Sequence, residues 1–572
     1  MSLRAAGWVS RGLRWLRLAL LCLVAHAACT DRGGTPAPQA RETPQRGGTV
    51  VIAHISDLEH LNSLVASDKY TQEVNRYVLF LPLLRYREDL SYEPVLAERW
   101  EMEADTAVVF HLRRDVRWHD GRPTTAADVV FTFERARDPA TKFPNAEYFT
   151  NWLGATTPDS FTVRFTFTPH AEPLAGLPFL PIMPAHVLDS IPAARLNQAA
   201  FNKRPVGNGP FRFVEYRAND RWIFDANPDF PQALGGRPYL DRIIWRPIPD
   251  QTAQLTELVT GGVDVVLSPP AQEYTRVAAQ PGFRGIVRPG RQYASVMWNG
   301  RVPPLNDARV RRALTLAIDR QQIIQTLRSG HGTPSVGPIG RFHWAFDQGL
   351  QPLPFNPDSA RALLRAAQLE DRNGDGTVEL RDGTPFEVEL KIPANNQLNR
   401  DMAEMIRSNL ANVGVRVTTR PVDYATLIGD LTRPSRNFEA VIMGWESDFR
   451  INLRDLFHSS AMSGPYQMAS YSNARVDSLI DHAARARERT EAKPIYAEIQ
   501  RILREDQPWT FLYDYPDLVL LRDRVRGVEM DIRGALLNVD RWWVTDPRAP
   551  VAAPSGSDSA AHSRARDSAR SS

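Results

Sequence analysis

The 572 residues show little excess charge of either sign: 69 lysines and arginines stand against 66 acids, a formal +3. That balance excludes the basic footprint of a nucleic-acid-binding chain. Cysteine is scarce, with only Cys22 and Cys29 present. No apolar run approaches the roughly 20 residues a membrane span requires; the run "LALLCLVA", Leu18 to Ala25, is far shorter. There is no G-x-S-x-G elbow, no H-E-x-x-H pair and no P-loop. A hydrolase would need a nucleophile or a metal site, and neither is visible. No short-period repeat occurs. What remains, 43% hydrophobic and 24% charged residues, is an ordinary globular composition, long enough for two or three domains.

The N-terminus has its own order. Arg4, Arg11, Arg14 and Arg17 precede the apolar run, and small residues, "HAAC", follow. Basic, apolar, then small is the form of an export signal. Those first 28 residues hold no acid, so the formal charge without them is −1. Cys22 would leave with the signal, and Cys29 follows Ala27 and Ala28 directly. The stretch resembles the bacterial lipobox, whose cysteine becomes the lipidated first residue; His26 departs from it, where an apolar residue is usual. The other reading is a plain signal that leaves one free thiol. Residues 29–45, rich in Pro, Gly and polar side chains, read as a flexible tether. Residues 549–572 read as a disordered tail. The folded body is then about 46–548.

Strand and helix periods alternate through that body, which indicates α/β layers. "TVVIAHI" opens it as a strand. Thr125 and Asp128 form a capping-box pattern ahead of a helix. Val310, Ala313, Leu314, Ala317, Ile318, Ile324 and Leu327 share one helical face, with Asp307 to cap its start and Gly330 its end. Phe386 to Ile392, "VRVTTRPV" and "FEAVIMG" read as strands around a helix striped by Met402, Ile406 and Leu410. "FEAVIMGWESDF" reads as a strand buried on both faces that turns at Gly444 and delivers Trp445, Glu446 and Asp448 to its tip. In open α/β sheets ligands sit beyond the carboxyl ends of strands, so Trp445 and Asp448 stand where a ligand would be.

"DRNGDGTVELRD", Asp371 to Asp382, has oxygen donors at EF-hand spacing. Asp371, Asn373 and Asp375 take positions 1, 3 and 5, Thr377 would offer its carbonyl, and Glu379 and Asp382 take positions 9 and 12. A strand follows instead of a helix, and position 12 is Asp instead of Glu. A structural calcium loop and a polar Asx turn are both open readings. No other cofactor is expected.

Four stretches together resemble the bacterial family 5 extracellular solute-binding proteins: "LRRDVRWHDGRPTTAADVVFTFERA" (112–136), "RPVGNGPFRFVEY" (204–216), "NPDFPQALGGRPYLDRI" (227–243) and "LNDARVRRALTLAIDRQQII" (305–324). The resemblance runs from about Gly47 to Asp540. It implies a periplasmic-binding-protein-like α/β fold with two lobes, a hinge and a ligand cleft. Lobe I would take residues 46–80, 205–290 and 505–548, an extra subdomain 81–204, and lobe II 291–504. It also implies a binding protein, not an enzyme, that captures peptides and delivers them to the permease subunits of an ABC transporter. Such a protein would act as a monomer at the extracytoplasmic face, held to the membrane through Cys29. By the family's Gly-Trp-x-x-Asp stretch, Asp448 would pair with a peptide ammonium and Trp445, beside Gly444, would wall the pocket. Trp298 and Asn299 would line the cleft, or serve as core and turn former; Ser67 would reach the ligand from lobe I. The family also hosts binders of nickel chelates, haem and oligosaccharides.

Overall fold

The computed structural model describes residues 43–547. The export signal, Cys29, the tether up to residue 42 and the tail 549–572 lie outside the described residues. Among the described residues no helix is long and apolar enough to cross a membrane.

One sheet of 11 strands organises the body. Its two long members, Phe283–Trp298 and Trp509–Arg522, run antiparallel and pass through both halves of the molecule. Residues 283–288 pair with 517–522, beside Val265–Leu267 and then Thr49–His54. Residues 292–297 pair with 509–515, beside Ala440–Glu446 and then Glu387–Pro393. The crossover therefore falls between Tyr515 and Asp517. The ladder is interrupted there between Arg288 and Gln292. Pro289 and Pro516 have no N–H to give, and a Cβ on Gly290 would stand 2.1 Å from the Tyr515 carbonyl oxygen.

Residue parity on these strands separates the cores. Val50 and Ile52 face one apolar cluster, and Val51 and Ala53 face another. Ala440 and Ile442 likewise separate from Val441 and Met443. Strands buried on both faces read as continuous apolar runs, as these do. The first cluster continues into a four-stranded sheet formed within residues 97–167, where Phe133, Trp152 and Phe165 pack with ring centroids 5.0–5.6 Å apart. Asp128 accepts the Thr125 N–H at 2.9 Å at the start of the helix Ala126–Arg137, as the capping pattern predicts.

The helical face predicted over 310–330 forms two helices, Ala308–Ala317 and Arg320–Arg328. Ile318 is extended, and the Asp319 carboxylate accepts the Gln322 N–H at 2.9 Å. A second N-cap thus restarts the helix where periodicity alone runs through. Asp307 caps the first helix through the Arg309 N–H at 2.8 Å.

Arg288 and Asp517 face each other across the crossover as directly paired residues. Arg288 is 2% exposed. Its guanidinium donates to Asp517 and, at 2.8 Å, to the Asp531 carbonyl. Lys69 donates to both Asp517 oxygens at 2.8–2.9 Å. Burial opposes ionisation of Asp517, but Arg288 and Lys69 overcome it and hold the carboxyl below its ordinary range. Asp517→Asn should cost about 3–5 kcal/mol, because it leaves a buried guanidinium uncompensated. The stabilisation is complete above the ordinary carboxylate pKa, about 3.9, and is lost as the pH falls through the depressed folded value. Urea unfolding at pH 7 and across the acid limb should show the loss at neutral pH and a shallower acid slope in the variant.

Candidate functional site

The helix Lys69–Val74, wound on as a π-helical segment through Leu79, starts at Asp68, whose carboxylate accepts the Thr71 N–H at 2.8 Å. Lys69, Gln72, Glu73 and Arg76 fall at i, i+3, i+4 and i+7, one helical face. All four line a cavity of about 250 Å³. Gly207 and Gly209 let the chain close over the end of this helix: a Cβ on Gly207 would meet the Leu79 carbonyl oxygen at 2.2 Å, and the Gly209 N–H donates to it at 2.8 Å.

The opposite wall is the end of the strand Ala440–Glu446 with the residues after it. Glu446 and Asp448 line the same cavity, together with Arg288, Arg291, Asp517 and Ser67. The strand does not turn at Gly444. It pairs on through Gly444, Trp445 and Glu446 with Ala294, Tyr293 and Gln292, because the long crossing strand continues alongside it. Gly444 and Trp445 line a neighbouring cavity of about 450 Å³, and Trp445 and Asp448 line a third of about 510 Å³. The Trp445 ring stands edge-on between Tyr466 and Trp509 at centroid distances of 6.1 and 5.8 Å.

The two strand-end acids differ in their partners. Glu446 is an ion-pair partner of Arg291. Asp448 Oδ1 accepts the Tyr148 hydroxyl and, at 2.6 Å, the Phe449 N–H; Arg291 Nη1 stands 3.8 Å away. Asp448 Oδ2 accepts no hydrogen bond from the described residues, and the side chain is 42% exposed. Burial, and then the Asp448 charge, raise the Tyr148 phenol well above its ordinary value, which keeps it a neutral donor.

Ser67 lines the cavity, with its N–H and hydroxyl both given to Glu59. Trp298 and Asn299 lie elsewhere. Trp298 shares strand parity with Ala294 and Val296, so its ring enters the core, where Nε1 donates to Thr510 at 2.9 Å. Asn299 is buried and donates to the carbonyls of Arg436 and Phe438. Neither lines any of the three cavities. In the acidic loop, one carboxylate oxygen from each of Asp371, Asp375 and Glu379 comes within 4.8 Å of the others. Asn373 Oδ1 accepts the Asp375 N–H, and the Thr377 N–H donates to Asp375. Asp382 is turned to Thr384, accepting its N–H and hydroxyl at 3.0 and 2.6 Å, and stands outside the cluster.

Residues 91–453 match the sequence profile of the bacterial extracellular solute-binding proteins, family 5. The chain belongs to this family. The oligopeptide-binding protein AppA of Bacillus subtilis is 28% identical over 540 residues, covering 93% of this chain and 98% of that one. The crystal structure of that protein with a nonapeptide superposes with a TM-score of 0.75 at 28% identity, over 88% of this chain and all of that one. Haem-binding protein A of Haemophilus influenzae is 29% identical over 460 residues, 76% of this chain and 81% of that one. The two-lobed fold and the solute-binding class expected from the sequence follow from these likenesses.

Arg76, Arg288, Arg291, Asp517 and Tyr148 were not singled out from sequence. Two signals existed: polar residues repeating on one face of a capped helix, and charges inside the otherwise largely apolar strands "VRPGRQYASVMW" (Arg288 and Arg291) and "YPDLVLL" (Asp517). Tyr148 carried none. Tyr148→Phe should lower stability by roughly 1.5 kcal/mol, the low end for a hydrogen bond to a charged acceptor, because Asp448 is partly solvated. A double-mutant cycle with Asp448→Asn in urea should show the two losses to be non-additive.

Proposed function

We propose that the protein is the substrate-binding component of an ABC importer for peptides, with the Asp448 carboxylate as the seat of the ligand's α-ammonium. The observation that carries this reading is the partition of one carboxylate. Oδ1 is fixed by Tyr148 and the Phe449 amide, while Oδ2 is left open at the cavity wall. A preorganised acceptor of this kind suits a cationic group, and charge-assisted hydrogen bonds are the strong ones. The relative described as an oligopeptide-binding protein, and its structure with a nonapeptide, support a peptide as cargo. Trp445 walls the neighbouring cavities, where varied side chains can be accepted through bridging water.

On this reading the protein binds without catalysis and works as a monomer, lipidated at Cys29 on the extracytoplasmic face, handing peptide to permease subunits. Its lobes are residues 46–80, 205–290 and 505–548, and 291–504, with the subdomain 81–204. A haem ligand is the rival suggested by one relative. Against it, the histidine lining the largest of the three cavities, His343, has both ring nitrogens engaged, with the Phe449 carbonyl and the Ala345 N–H.

Calorimetry with a panel of peptides, their N-acetylated forms and haem tests the reading. Free-amine peptides should bind, and both N-acetylation and Asp448→Ala should weaken binding about 10- to 100-fold, the loss expected when a charge-assisted hydrogen bond worth roughly 1.5–3 kcal/mol is removed. Bound peptides should be recovered intact by mass spectrometry. Equal affinity for acetylated and free peptides, or haem binding alone, would refute it.

A further inference from the structure

Five cations line the cavity that holds Asp448: Lys69, Arg76, Arg288, Arg291 and Arg533. Four are paired. Lys69 and Arg288 share Asp517, Arg291 holds Glu446, and Arg533 holds Asp531. Arg76 is the exception. It is 9% exposed, forms no ion pair with the described residues, and its Nε is buried without a hydrogen-bond partner. Its guanidinium lies over the rings of Phe179 and Tyr77, at 4.5 and 5.5 Å from their centroids. A guanidinium cannot escape the cost of burial by losing its proton. Aromatic faces offset only part of that cost, and Glu73, one turn back on the same face, spends Oε2 on the Ala535 and Leu536 N–H groups, so the Arg76 fork is left without an ion-pair partner among the described residues.

We propose that Arg76 binds the carboxylate of the ligand, and that Arg76 and Asp448 together select short zwitterionic peptides whose two charged ends lie in one cavity. This rests on the reading of Asp448 as the ammonium seat. The planar fork of arginine matches a carboxylate in bidentate fashion. Arg76 and Asp448 line one cavity of about 250 Å³, so both charged ends of a short ligand can be met within it.

The test titrates di- to pentaalanine, the C-terminal amide and the N-acetyl form of each into the parent and into Arg76→Gln and Arg76→Lys. In the parent, amidation should weaken binding 10- to 100-fold. Arg76→Gln should bind free acid and amide equally, and Arg76→Lys should restore part of the discrimination. Unliganded Arg76→Gln should melt no lower than the parent, since it removes a buried uncompensated charge; a merely structural arginine would lower the midpoint. Continued discrimination of acid from amide by Arg76→Gln overturns the proposal. Failure of every alanine peptide to bind the parent overturns it as well. Loss of the acetylation effect alone, with the amide effect intact, overturns the Asp448 reading and leaves Arg76 standing.

A second inference rests on a different observation. Glu379 is 3% exposed; Oε2 accepts the Arg372 N–H at 2.7 Å, and Oε1 is buried with no partner. Isolated bridges to Glu370 and to Pro385 fix its backbone on both sides. This carboxylate converges with those of Asp371 and Asp375, and among the described residues the one ion pair to the three is Arg416 with Asp375 Oδ2, at 3.3 Å. Gly374 and Gly376 hold the curl with φ of 78° and 85°. Three carboxylates this close, one with a stranded oxygen, fit a hard divalent cation with oxygen ligands. We infer a structural calcium site at Asp371, Asp375 and Glu379. Calorimetry on the EDTA-treated chain should show about one calcium per chain, and calcium should raise the thermal midpoint. Glu379→Gln and Asp375→Asn should each weaken binding at least 100-fold. An absence of both heat and midpoint shift at millimolar calcium, or an equal shift in the variants, overturns it.

Discussion

The fold depends on one crossover. Among the described residues the strands Phe283–Trp298 and Trp509–Arg522 are the only long members of a sheet that serves two halves, and they change neighbours within three residues. The backbone ladder lapses at that point, at Pro289, Gly290 and Pro516. A charge pair, Arg288 with Asp517, takes its place. An isolated charge there would be expensive, so each partner draws others to it: Lys69 brings the cavity-lining helix, and the Asp531 carbonyl brings the segment that carries Arg533. The cavity is therefore built outward from the crossover. Its floor is the same pair that replaces the missing ladder.

Parity explains which parts of this were legible in the sequence. A strand buried on both faces has to be apolar throughout, so "TVVIAH" and "AVIM" announce themselves. A capped helix with a period near 3.6 does the same. What failed was local reading of ends. The turn expected at Gly444 does not occur, because a partner strand 150 residues away in sequence extends the ladder through Glu446. The helix over 310–330 is split by Asp319, whose side chain finds the Gln322 amide before the periodicity can run on. Trp298 had two readings, cleft and core, and the register against Ala440 selects the core face.

The site divides along the same line. Asp448 and Trp445 were singled out because a strand end in an α/β sheet is a privileged place, and both line cavities in the structure. The convergence of Asp371, Asp375 and Glu379 could be read from local spacing, whereas Asp382 is claimed by the neighbouring Thr384. The cations were not legible. Arg288 and Asp517 are 229 residues apart, and in a chain with so many arginines only folding shows which are already paired. The unpaired one, Arg76, stands out only after its neighbours have been assigned.

Asp448 is held in place by the residue after it. Phe449 leaves its own half and enters the core of the other, where its ring lies 5.3 Å from Tyr86 and 5.4 Å from Phe179. Burying such a ring is worth about 1.5–3 kcal/mol. Polar ties flank it: Tyr148 to Asp448, the Arg450 guanidinium to the Glu147 carbonyl at 2.6 Å, and Arg489 with Trp344 to Glu172 at 2.7 and 3.0 Å. These two kinds of contact respond differently to separation. Most of the polar groups exchange one another for water at little net cost, since such pairs contribute little once solvated. The ring has no such substitute. Any opening between these segments must first withdraw Phe449, and in doing so it moves the carboxylate that faces the cavity. The position of Asp448 is thus set in part by the apolar side chain next to it.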